Sequence, residues 1–155
     1  MIQMYKIKFF IFIALIPLSS LSFAQNDSVK VMQTINRLFD GMRTGNYELV
    51  SAVLDTNAVL MSIGKSLGRT TVHSQTAEQF IKAIGFQHKE KWEEKLFDPS
   101  LKIKEDIATV WAEYSFYLND KLHHCGIDSF QLVKRDEGWK ILVIVDTRKK
   151  EGCEK

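Results

Sequence analysis

The chain has 155 residues, 45% hydrophobic and 26% charged, and two groups at its start, Lys6 and Lys8, precede an apolar run over 9–18. Ser22 and Ala24 put small residues at the −3 and −1 positions of a cut after Ala24, so 1–24 reads as an export signal; its apolar run is shorter than the ~20 residues of a permanent span. Removing it lowers 21 basic residues to 19, against 19 acidic ones, which excludes the strongly basic footprint of a nucleic-acid or anionic-membrane binder.

The remaining chain, 25–155, is expected to be one soluble domain, periplasmic or secreted, with no membrane contact after cleavage. A first helix starts near Asp27, which with Ser28 is a candidate cap, and presents Met32, Ile35, Phe39 and Met42 on one face until Gly45. Asn46 opens a shorter helix through Tyr47, Val50 and Leu54, closed by a turn at Asp55-Thr56-Asn57. A strand over 58–63 turns at Gly64-Lys65, and a weaker strand follows. Thr76-Ala77-Glu78-Gln79 then supplies a capping box for a third helix bearing Ala77, Phe80, Ile81 and Ile84 and stopped by Gly85.

Long β runs follow over 92–104, with a bulge at Asp98-Pro99, then 107–118, 121–135 and 139–147. Asn119-Asp120 suits a two-residue hairpin, and Asp136-Glu137-Gly138 a three-residue loop with Gly in the left-handed position. Helices first and a strand meander last make the chain α+β.

That element order, the stretch 108–117 (Ala-Thr-Val-Trp-Ala-Glu-Tyr-Ser-Phe-Tyr), and the pieces His124-Cys-Gly, Phe130-Gln-Leu-Val, Gly138-Trp-Lys-Ile and Asp146-Thr-Arg resemble the nuclear transport factor 2-like superfamily. Its members include ketosteroid isomerases, polyketide cyclases of the SnoaL type and scytalone dehydratase; the last pieces resemble an exported bacterial branch labelled putative lumazine-binding. The resemblance implies a cone-shaped, cystatin-like roll, a curved antiparallel sheet wrapped around three N-terminal helices, and commonly a dimer through the outer sheet face. It brings no catalytic residue with it. Phe39 and Met42 stand where a catalytic Tyr is sought, and 58–63 holds no Asp.

The two hairpins set a register. Pairing Leu118 with Lys121 and Arg135 with Trp139 puts Ala108, Val110, Ala112, Tyr114 and Phe116 on a helix-covered face with His123, Cys125, Ile127, Ser129, Val133, Trp139, Ile141, Val143 and Val145. Trp111, Phe130, Leu132 and Ile144 fall on the other face and are the expected centre of a homodimer interface. A bulge would exchange the faces beyond it.

In this register Asp128 lies opposite Asp146, with Arg148 and His124 nearby. These four are the candidate catalytic residues of an isomerase, cyclase or dehydratase-like enzyme, or else a structural ion pair. Tyr114, Phe116, His123 and Trp139 are the candidate lining of a pocket for a small apolar or aromatic ligand. The leading expectation is an exported, non-catalytic ligand-binding or dimerisation module. No metal or cofactor is expected: His123 and His124, adjacent on a strand, point to opposite faces, and no metal-ligand spacing occurs. Cys125 and Cys153 permit a disulfide, with Cys125 facing about Lys149, although strand geometry alone does not close the last four residues.

Overall fold

A computed structural model describes residues 19–86 and 90–153. Its elements run α1 (Ser19–Thr44), α2 (Tyr47–Val53), β1 (Leu54–Ser66), β2 (Arg69–Thr76), α3 (Ala77–Gly85), β3 (Trp92–Lys104), β4 (Ile107–Leu118), β5 (Lys121–Arg135) and β6 (Gly138–Thr147). Of the expected export signal, residues 1–18 lie outside the described residues. Among those described, no helix is long and apolar enough to cross a membrane.

α1 turns Val31, Ile35, Leu38 and Met42 into the core, with Met32 and Phe39 packed beside them. Asp27 is not its cap. It lies inside the helix and accepts from Lys134 Nζ at 2.8 Å and Trp139 Nε1 at 3.4 Å. At Gly41 α2 comes so close that an added Cβ would sit 2.7 Å from Val50 Cγ2. Asn46 caps α2 by accepting from the amides of Glu48 and Leu49. The capping box of α3 forms as expected, Thr76 with Gln79.

The strands form a sheet in the order β2-β1-β6-β5-β4-β3, antiparallel throughout except between β1 and β6, which pair in parallel. The β1–β2 turn lies at Leu67-Gly68, not Gly64-Lys65; both of its residues have positive φ, whereas Gly64 and Lys65 pair with Thr71 and Thr70. Asp55-Thr56-Asn57 keeps its turn chemistry within β1, where Asp55 Oδ1 accepts from Asn57 N. The Asn119-Asp120 hairpin and the bulge at Asp98-Pro99 are as expected. The last hairpin is tighter than expected, since Arg135 pairs with Gly138 across a two-residue turn.

Two bulges decide which side chains face the helices. The register slips in β5 next to His123, so Phe116 pairs with His124 rather than His123, and it slips in β6 at Leu142. Strand side chains alternate with a period of two, so the first slip exchanges every later face of β5. Phe130 and Leu132 therefore pack on the helix-covered side, 0% and 1% exposed, with Ile144 at 8%. These three are core and not outer-face residues, which corrects their expected place in a dimer interface; Trp111 alone of that set is exposed. The slip equally turns Ile127, Ser129 and Val133 outward, and Val143 and Val145 join them. The second slip restores the expected pairing of Asp128 with Asp146.

Candidate functional site

The concave side of the sheet, with α1 and α3, lines an open-mouthed cavity of about 400 Å³. Its walls are apolar: Leu38, Phe39 and Met42 come from α1, Phe80 and Ala83 from α3, and Leu60, Trp92, Phe116, Phe130 and Ile144 from the sheet. Trp92 meets Phe116 edge-on with 6.3 Å between ring centres, and Phe116 stacks on His124 at 4.9 Å. A cleft lined by rings in these orientations has room for a flat, largely apolar molecule.

Polar groups gather at one end. Asp146 Oδ1 accepts from Ser62 Oγ at 2.6 Å, and its Oδ2 accepts from Arg148 Nε at 2.7 Å. Arg148 Nη2 reaches Oδ1 at 3.4 Å, completing a two-pronged ion pair. The Tyr114 hydroxyl stands 3.0 Å from the Thr147 carbonyl and 3.2 Å from Asp146 Oδ2, its one proton shared between them. Burial, followed by the charges of Asp146, Asp128 and Glu94, drives the phenol pKa well above its ordinary range, so it acts only as a donor. Gly126 makes this geometry possible. A Cβ there would sit 1.8 Å from the Thr147 carbonyl oxygen.

Beside this set lies a carboxyl pair, Asp128 and Glu94. Asp128 is 2% exposed, and its Oδ2 is buried without a hydrogen bond from any N–H or hydroxyl. Its neighbour is the Glu94 carboxyl, brought in from β3 opposite Phe116. Two carboxyls can bond to each other only when one carries a proton. Burial pushes Glu94 up to about 7, and burial and the adjacent Glu94 raise Asp128 well above its usual range. The pair thus retains protons near neutral pH.

The bulge also corrects the histidines. His123 and His124 do not point to opposite faces: both line the cavity, their Nδ1 atoms 2.8 Å apart, so one ring donates to the other. Burial, with help from Arg148 and His123, lowers His124 to about 4, which keeps it neutral. Among the described residues, no three His, Cys, Asp or Glu side chains are grouped to hold a metal ion.

Asp128, Asp146, Arg148, His124, Tyr114, Phe116 and His123, all singled out from the sequence, therefore converge on one cavity. Trp139 does not line it; its ring is 5% exposed in the core and bonds to Asp27 under α1. Glu94 and Ser62 were missed. The one signal for Glu94 was its alternation with Trp92 and Leu96, which places an acid among inward apolar residues. On the outer side Cys125 and Cys153 form a disulfide with Cα atoms 5.6 Å apart, and Cys125 bridges to Lys149 as the register implied.

Solved structures share this architecture at low identity. A Mycobacterium tuberculosis protein of unknown function superposes with a TM-score of 0.71 at 11% identity, covering 88% of this chain and 79% of that one. An NTF2-like protein with a cystatin-like fold from Novosphingobium aromaticivorans gives 0.71 at 12%, covering 90% and 95%. A putative dehydratase of the NTF2-like family from Streptomyces avermitilis gives 0.63 at 16%, covering 82% and 99%. No curated protein sequence matches significantly. The family model described as putative lumazine-binding matches residues 26–145. The chain thus has the cystatin-like α+β fold of the nuclear transport factor 2-like superfamily and belongs to its putative lumazine-binding family.

Proposed function

We propose that the protein is an exported module that holds a small, flat ligand in its cone-shaped cavity, without chemistry on that ligand. The observation that carries this reading is an apolar-walled cavity of about 400 Å³ with the Asp128–Glu94 pair among its lining residues, Asp128 Oδ2 having no N–H or hydroxyl donor from the protein. The pair is held only by the proton it shares, and the N–H or O–H of a guest can take that proton's place. The family description suggests lumazine, a two-ring compound of suitable size, as a probe. Titration with lumazine and with 1-naphthol should change tryptophan fluorescence and shift amide resonances of cavity residues. Ala83→Trp, a bulky group at the cavity wall, should weaken both responses; amide shifts confined to residues outside the cavity defeat the reading.

A second reading, an acid-base enzyme of the isomerase or dehydratase kind, is favoured by one observation, the proton-sharing Glu94–Asp128 pair. Protonated Asp128 would act as general acid and ionised Glu94 as base on one substrate face. Turnover in a substrate screen, lost in Asp128→Asn, would establish it.

Export and self-association belong to the proposal. The Cys125–Cys153 disulfide supports an oxidising location. For a dimer, the outer face offers exposed Trp111 with the half-buried Phe97, Ile127, Val143 and Val145. Light scattering should report twice the monomer mass, and Trp111→Glu should halve it.

A further inference from the structure

We infer that the cavity's ligand is an organic cation, an amine or amidine on a flat apolar frame, whose charged N–H groups bond to Asp128 and Glu94. This rests on the ligand-binding reading above and names the chemistry of the guest. The cavity floor has three carboxyls, Glu94, Asp128 and Asp146, and one guanidinium, Arg148. Arg148 is committed to Asp146 through two contacts, and Ser62 and Tyr114 direct their hydroxyls to the same carboxylate. No cation bonds to the other two acids, which feel Arg148 only from across Asp146, and Asp128, a lining residue of the cavity, has no N–H or hydroxyl donor at its Oδ2.

The remaining neighbours place no cation on the pair. α1 contributes only Leu38, Phe39 and Met42, and β4 contributes Tyr114, Phe116 and Leu118; on β5 His124 is neutral and His123 is bonded to it, and Glu90 adds a further acid to the lining. A guest with a cationic N–H group can take the place of the proton that the pair shares, supplying both a donor and a balancing charge as the acids ionise, and the rings of Trp92, Phe116 and Phe39 suit a cation with an aromatic or aliphatic body. A metal ion does not fit, because no metal-ligand group of three occurs among the described residues. The apolar walls also leave little to replace a metal's hydration shell. Binding of such a cation drives the carboxyl pair to ionise, so protons leave the protein as the guest enters.

Calorimetric titration at pH 7 with three indoles of similar size tests this: tryptamine (cationic), tryptophol (neutral) and indole-3-acetate (anionic). Each is run in phosphate and in Tris, whose ionisation enthalpies differ, so released protons register as a buffer-dependent heat. Tryptamine should bind about tenfold or more tightly than tryptophol, the ratio of one charge-assisted bond to a neutral one, with proton release that tryptophol lacks. Asp128→Asn and, independently, Glu94→Gln should erase the preference for tryptamine over tryptophol and the proton release that goes with it. If tryptophol or indole-3-acetate binds as well as tryptamine, or no proton is released, the cation inference is overturned and the ligand cavity stands. If none of the three binds, the ligand-cavity reading falls with it.

Discussion

Replacing Asp128 by Asn removes one ionisable group from the cavity floor at nearly constant shape. In the wild type the folded pair holds protons to higher pH than the unfolded chain does. Its contribution to stability is therefore complete below the ordinary carboxyl range, near pH 4, and is lost as pH rises through 7 and beyond. Glu94, pushed up to about 7, accounts for about 3 kcal/mol of that loss at ~1.4 kcal/mol per tenfold change in proton affinity. In Asp128→Asn the amide donates to Glu94 at every pH, and no second carboxylate forms beside it. The variant should match the wild type within about 1 kcal/mol at pH 5 and exceed it by about 1–3 kcal/mol at pH 9, a gain of about 4–10 °C in melting temperature for a chain of this size. His124 works in the opposite sense, supporting the fold above pH 6.5 and withdrawing support as pH falls through about 4. It is present in both proteins and largely cancels in their difference. Thermal unfolding followed by circular dichroism at pH 5, 7 and 9 measures the effect. A variant less stable than the wild type at pH 9, or a difference that does not change with pH, would refute the reasoning, because Asp128 would then be ionised and well partnered.

Gly126→Ala should be the most damaging single-methyl change in the sheet: its Cβ collides with the Thr147 carbonyl, so β6 must move and Tyr114 loses its acceptor. Urea titration should show a loss of about 2–4 kcal/mol. Arg148→Met should cost about 1–2 kcal/mol, a figure held down by the half-exposed guanidinium, and adding Asp146→Asn should recover part of it in a double-mutant cycle. Cys153→Ser releases a 28-residue separation and should lower stability by at most about 3–4 kcal/mol, with non-reducing mass analysis confirming the bridge in the parent. Secretion in a competent bacterium should yield a chain beginning at Gln25, as read by intact mass; a chain retaining residues 1–24 counts against export.

Local chemistry was enough to place most elements. The bounds of β3, β4 and β5, the Asn119-Asp120 turn, the Asn46 cap and the Thr76–Gln79 capping box depend on residues within a few positions of one another, and all were legible. So was the pairing of Asp128 with Asp146, and with it most of the site. What the strand pattern could not decide was the pair of register slips next to His123 and at Leu142. A bulge has no obligatory residue type, yet one extra residue exchanges the faces of everything after it. That is why Phe130 and Leu132 read as outward and are buried, and why His123 and His124 meet instead of parting. Glu94 and the Cys125–Cys153 closure belong to the same class. Each depends on strands or a chain end brought together across the sheet, a distance over which only the packed tertiary structure specifies which groups become neighbours.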